Sequence, residues 1–118
     1  MRYIDGFVLT VPKKKLTSYR RMAQQAGRVW RGYGAQQYFE CVGEDLKVKM
    51  GLPFPRLTKL KPGETVVFSW IGYKSKAHRD KVNAKVMKDK RIAKMMSQAM
   101  PFDVKRMAYG GFKVLVDA

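Results

Sequence analysis

ETVVFSWIGY, residues 64–73, decides the fold. Its β-branched and aromatic side chains suit a pleated surface. Apolar residues fall on both parities: Val66, Phe68 and Trp70 on one, Val67, Ile71 and Tyr73 on the other. A strand of this kind is buried on both faces. Upstream, Tyr3 to Val11 reads the same way and stops at Pro12. It carries Ile4 and Val8 on one parity and Tyr3, Phe7 and Leu9 on the other, with Asp5 and Thr10 as polar exceptions.

Between these strands, Lys13 to about Arg31 reads as a helix. Leu16, Tyr19, Ala23, Ala26 and Trp30 recur at spacings of three and four, Pro12 sits near the start, and Gly32 and Gly34 provide an exit. Gln36 to Val42 is a strand with Tyr38, Glu40 and Val42 on one face and Phe39 and Cys41 on the other. Gly43 to Gly63 holds Pro53, Pro55 and Pro62 and no sustained period, so it reads as a long loop. Downstream, Ser75 caps a helix running to about Asp89, with His78, Val82 and Val86 inward. Lys90 to Met100 allows a further short helix. Arg106 to Asp117 is a last strand carrying Gly110 and Gly111.

The order β-α-β-β-α-β predicts an α+β, ferredoxin-like domain over residues 1–118: a four-stranded antiparallel sheet with two helices on one face. No strand alternates cleanly between apolar and polar, so the other sheet face also needs cover. A second copy of the same sheet supplies it most simply, which predicts a homodimer.

Composition narrows the function classes. One cysteine, Cys41, excludes an internal disulfide and a multi-cysteine metal site, and His78 is the only histidine. We therefore expect no metal and no cofactor. The opening MRYIDGFVLTV lacks the pattern of a secretory signal, and the longest uncharged apolar run, Thr65 to Tyr73, is too short to span a bilayer as a helix. A cytoplasmic protein is expected. The formal charge is +16. Lys13 to Gly32 holds seven basic residues and no acidic ones, and Lys74 to Lys94 nine basic and two acidic, so these segments supply +14 of it.

The resemblance of the last strand is specific. MPFDVKRMAYGGFKVLVD (100–117) resembles the C-terminal signature of the YbaA-like family of bacterial proteins. YIDGFVLTVP (3–12), PGETVVFSWIGYKSKAHRD (62–80) and NAKVMKDKR (83–91) agree with it, in the family's order. The resemblance implies membership of the dimeric α/β-barrel superfamily, in which two ferredoxin-like sheets pack into a shared barrel. It brings no activity with it. The wider superfamily includes cofactor-free monooxygenases, haem-handling proteins and small isomerases, and fold analogy is weak evidence for any of these.

Three function classes remain. In the first, the protein binds a small molecule, or acts on one as a cofactor-free enzyme, in a sheet-lined pocket built from Asp5, Glu40, Trp70, Asn83 and Tyr109. Desolvated carboxylates suit acid–base work, and Asp5 and Glu40 are the candidates. Their structural counterpart is an ordinary hydrogen bond to backbone or to Arg106. The opening of the second helix adds a polar cluster, Arg79, Asp80, Asn83 and Lys85, in which Asp80 and Asn83 at i, i+3 could share a ligand. In the second class, nucleic acid or another polyanion binds Lys13, Lys14, Lys15, Arg20, Arg21, Lys81, Lys85 and Lys88 on the two helices. In the third, the loop Gly43 to Gly63 recognises a partner.

Overall fold

The computed structural model describes residues 2–118. The first strand, β1 (Tyr3–Pro12), leads into a 3₁₀ turn over Lys13–Lys15 and then α1 (Leu16–Gly32). The expected helix thus begins three residues late. Neither Pro12 nor Lys15 offers a side-chain acceptor and no acidic residue stands in the first turn, so the chain enters through i→i+3 bonding. β2 (Gln37–Val42) follows. The long connection after it is not structureless: it contains one helical turn, α2 (Phe54–Leu57), closed by the Thr58 hydroxyl donating to Phe54 O at 2.8 Å.

β3 (Glu64–Tyr73) is the stretch quoted above. Ser75 caps α3 (Lys76–Met87), its hydroxyl oxygen accepting from the His78 N–H. Asp89 caps α4 (Lys90–Met96) in the same way through Arg91. β4 spans only Ala108–Lys113, shorter than expected. Its beginning is lost to a 3₁₀ turn over Val104–Arg106, capped by Asp103. Its last ladder pair is Tyr3–Lys113, with one further backbone bond from Val114 N–H to Arg2 O.

The four strands form one antiparallel sheet in the order β2-β3-β1-β4. This is the expected ferredoxin-like topology. β1 and β3 pair along their whole length, from Tyr3–Tyr73 to Pro12–Glu64. Their odd-numbered residues meet the helices. Leu9, Val11 and Val67 pack with Tyr19 and Ala23 of α1, while Ile71 and Tyr73 pack with Val29, Val82, Val86 and Ile92. The even-numbered residues lie on the opposite face. There Phe39 is 48% and Phe112 62% exposed, and Phe39 stacks on Trp70 at 4.8 Å. No described helix is long and apolar enough to cross a membrane.

Candidate functional site

Strand register places the polar residues of the helix-side face. One row across the sheet runs Tyr109, Phe7, Ser69, Glu40 from β4 to β2, and the next runs Gly111, Asp5, Ile71, Tyr38. Asp5 and Glu40 therefore share a face but are separated by a strand and two residues of rise, roughly 12 Å between Cα atoms. They are two independent carboxylates with different partners.

Glu40 is held by two phenols. Tyr19 of α1 donates to Oε1 at 2.6 Å, and Tyr38, two residues back on the same strand face, donates to Oε2 at 2.8 Å. Burial first, and then the neighbouring Glu40 carboxylate, push both phenols well above the ordinary tyrosine range. They stay protonated and act as fixed donors. Tyr38 can approach because α1 has Gly27 opposite it: a Cβ there would lie 2.8 Å from the Tyr38 ring.

Asp5 is 2% exposed and pairs with Arg79 of α3, Nη1 to Oδ1 at 2.6 Å. The guanidinium also lies 4.9 Å from the centre of the Tyr3 ring. Asn83, one turn further along α3, accepts from Trp30 Nε1 at 3.1 Å and from the Tyr73 hydroxyl at 3.3 Å. Burial first, with the Asp5 charge next, raises the Tyr73 phenol, so it too remains a donor.

These groups border a cavity of about 550 Å³ between sheet and helices. Asp5, Glu40, Asn83 and Tyr109 all line it. So do Met22, Met87, Met95, Met96, Met100 and Met107, six of the chain's eight methionines. Thioether side chains of this kind fill irregular space and repack around a guest. A volume between roughly 300 and 1,000 Å³ with a few convergent polar groups is the usual form of a small-molecule site.

Some expected groupings dissolve. Trp70 does not join the others: its even number on β3 puts it on the opposite face, in an almost wholly apolar hollow with Ile4, Val8, Phe68 and Phe112. The helix-opening cluster is split. Arg79 and Asn83 turn inward, whereas Lys85 is exposed and the Asp80 side chain, 60% exposed, is drawn outward by Arg79 Nε at 2.8 Å. Arg106 serves neither Asp5 nor Glu40. It forms a two-pronged pair with Glu64, at 2.8 and 2.7 Å, and bonds Asp103. The hydrogen bonds from Arg106 are the main cause that holds the Glu64 carboxyl down at about 2.

Lys13, Lys14, Lys15, Arg20, Arg21, Lys81, Lys85 and Lys88 are all exposed, on the turn before α1, on α1 itself, on α3 and just after it. Cys41 is exposed and unbridged. Sequence reasoning missed the partners of the two carboxylates. Tyr38 at i−2 from Glu40 was a legible signal, because residues two apart on a strand share a face. The pairing of Arg79 with a residue 74 positions away left no local trace.

A family model described as "Protein of unknown function (DUF1428)" matches residues 2–104. "Uncharacterized protein YbaA" of Escherichia coli (strain K12) is 44% identical over 117 residues, covering 99% of each chain, and the same figures hold for that of Shigella flexneri. Three solved structures share the fold at low identity. A NIPSNAP domain protein from Burkholderia xenovorans has a TM-score of 0.59 at 14% identity, over 98% of this chain and 94% of that one. A putative antibiotic biosynthesis monooxygenase from Nitrosomonas europaea scores 0.60 at 10%, over 96% and 89%. A dimeric ferredoxin-like protein from an uncultured marine organism scores 0.60 at 8%, over the whole of both chains.

Proposed function

We propose, from the premise that this chain belongs to the DUF1428 family of proteins of unknown function, that it is a homodimeric small-molecule-binding protein or cofactor-free enzyme. The cavity between helices and sheet is its site. The observation that carries this reading is the methionine-walled space of about 550 Å³, with a two-phenol carboxylate on its floor and an aligned amide on its helical side. The space opens to solvent past Met87, Met96 and Tyr109, so a guest can enter it. A space this large, bordered by polar groups with fixed orientation, is better suited to a guest than to packing.

The polar groups define the guest. Its body is apolar and its polar atoms are few. The Tyr19 and Tyr38 hydroxyls spend their protons on Glu40, so their oxygens are left to accept from the ligand. In the enzyme form of this reading Glu40 is the carboxylate placed for acid–base work, with the phenols holding its orientation. Asp5 is tied to Arg79 and acts as a fixed wall.

Homodimer formation uses the opposite face. Ile4, Val8, Phe39, Phe68, Trp70 and Phe112 make it apolar, and a dimeric protein of the same fold supports a second copy as its cover. Binding of a polyanion is the second reading, supported by the eight exposed cations on the helical layer. It predicts binding to RNA or DNA that weakens steeply with salt.

The test uses the methionines. The protein carrying ¹³C-methyl methionine is titrated with 2-naphthol and with 1-decanol. Shifts confined to the six cavity methyls, with Met50 still, are the expected result, and Met95→Trp should abolish them. Titrations that move none of the six overturn the reading.

A further inference from the structure

A second concavity lies outside the first, between α1 and the edge strand β2. It measures about 640 Å³ and adjoins the inner cavity through a shared wall, since Tyr19, Tyr38 and Glu40 line both. Its floor is apolar, made by Leu16, Ala23, Val42 and Val67. Its lip is cationic. Arg20, Gln24 and Arg28 stand at i, i+4 and i+8 on α1 and form one stripe along the groove. Arg31, at the end of the helix, is already committed to backbone, donating to the carbonyls of Ala35 and Gln36. Arg20 and Arg28 are exposed, and among the described residues neither has an acidic partner.

We propose that this groove binds an amphipathic carboxylate, such as a medium-chain fatty acid. The head group is held at Arg20 and Arg28, and the hydrocarbon lies along Leu16 and the exposed Val42, over the buried Ala23 and Val67. Charge complementarity selects the class. The only acidic side chain lining the groove is Glu40, and both its oxygens are bonded to tyrosine hydroxyls, so a ligand at the lip meets the arginines. Guanidinium groups present paired donors that match a carboxylate. The apolar floor gives the rest of the ligand a surface on which to leave water. A fully polar anion would use only the lip, and a neutral lipid only the floor.

The proposal goes beyond the inner-cavity reading and can fail separately from it. Decanoate and 1-decanol share a chain and differ at the head group. Their affinities are measured at low ionic strength by calorimetry on the wild type, on Arg20→Gln/Arg28→Gln and on Met95→Trp. The wild type should prefer decanoate by roughly tenfold, as expected for a charge-assisted head-group contact. The double arginine variant should bring that preference to about one and leave decanol binding unchanged, because both residues lie on the helix surface. Met95→Trp narrows only the inner cavity, removes that cavity's share of decanol binding, and should leave the preference for decanoate at tenfold or raise it. Equal binding of the two probes by the wild type overturns the groove proposal. So does a preference that survives the double arginine variant, or one that Met95→Trp removes. Failure of the inner-cavity reading shows instead in the cavity methionine methyls.

Discussion

The two faces of this sheet are made by the same four strands and have opposite chemistry. The helix-side face carries Asp5, Glu40 and Ser69 among apolar neighbours, and the first two are tied to an arginine or to phenols. The opposite face is open around Phe39, Phe68 and Phe112, while at its other end Thr10 and Val66 are buried and Phe54 of α2 meets Phe68 edge-on. At its centre Gly6 and Gly110 sit side by side in register, next to Trp70. The difference teaches how a double-sided strand divides its work. One parity organises polar groups around a cavity under the helices, and the other offers aromatic surface to something outside the chain.

The contrast can be broken most severely on the open face. Trp70→Lys should turn a dimer into a monomer, weakening self-association roughly 100-fold or more, because an unpaired charge in a desolvated interface costs several kcal/mol. Sedimentation velocity over a range of concentrations reads this. A wild-type protein that is monomeric throughout would remove the basis for the comparison.

On the other face the largest effect falls on Asp5. Asp5→Asn removes the buried anion of the Arg79 guanidinium, where the Asp5 side chain is 3% and the Arg79 side chain 15% exposed, and leaves it only the exposed Asp80 carboxylate on Nε. The expected loss is about 3 kcal/mol, seen as a lower urea midpoint. Self-association should be unaffected, because the mutation lies on the opposite parity.

These effects show how much could be read in advance. Element types follow from local composition and spacing, the sheet topology from their order, and the need to cover a second face from strands such as ETVVFSWIGY that are apolar on both parities. The placement of Trp70 was a matter of parity across strands. That depends on which face the helices choose, and for a strand apolar on both sides local pattern does not decide it. Arg79–Asp5 and Arg106–Glu64 join residues 74 and 42 positions apart, and a single sequence records no such distance. Gly27 carries no local mark of the Tyr38 ring that packs against it from another element.

A smaller effect sharpens the boundary between site and scaffold. The Arg106–Glu64 pair anchors the end of the long loop to the approach of β4, away from either face. The Glu64 carboxyl is held at about 2 in the folded protein, below an unfolded value of about 4.3. Its contribution is therefore complete above that unfolded value and is lost as pH falls toward 2. Asp103, lowered by the same arginine, acts in the same direction. Arg106→Gln should reduce stability at neutral pH, and the gap to wild type should close across that acid window in denaturant titrations. A gap that stays constant down to pH 2 would show that the pair contributes through packing alone.

The smallest effect compares two glycines of α1. Gly27→Ala drives a Cβ into the Tyr38 ring and should cost about 1–3 kcal/mol, with a change in Tyr38 fluorescence. Gly32→Ala meets nothing within 4 Å and should gain up to about 1 kcal/mol. Equal responses would mean that Tyr38 yields freely and that the Glu40 clamp is loose.

The methionine wall has a consequence in redox terms. A thioether oxidised to its sulfoxide exchanges a flexible apolar group for a polar, chiral one. Six such groups ring one space, and Met96, 57% exposed, is open to solvent where Ile92 behind it is buried. Oxidation would advance from that rim inward and turn an apolar chamber into a wet one, while the strands and their register stayed in place. The proposed binding of apolar guests would then be lost ahead of the fold, and methionine sulfoxide reduction would restore it.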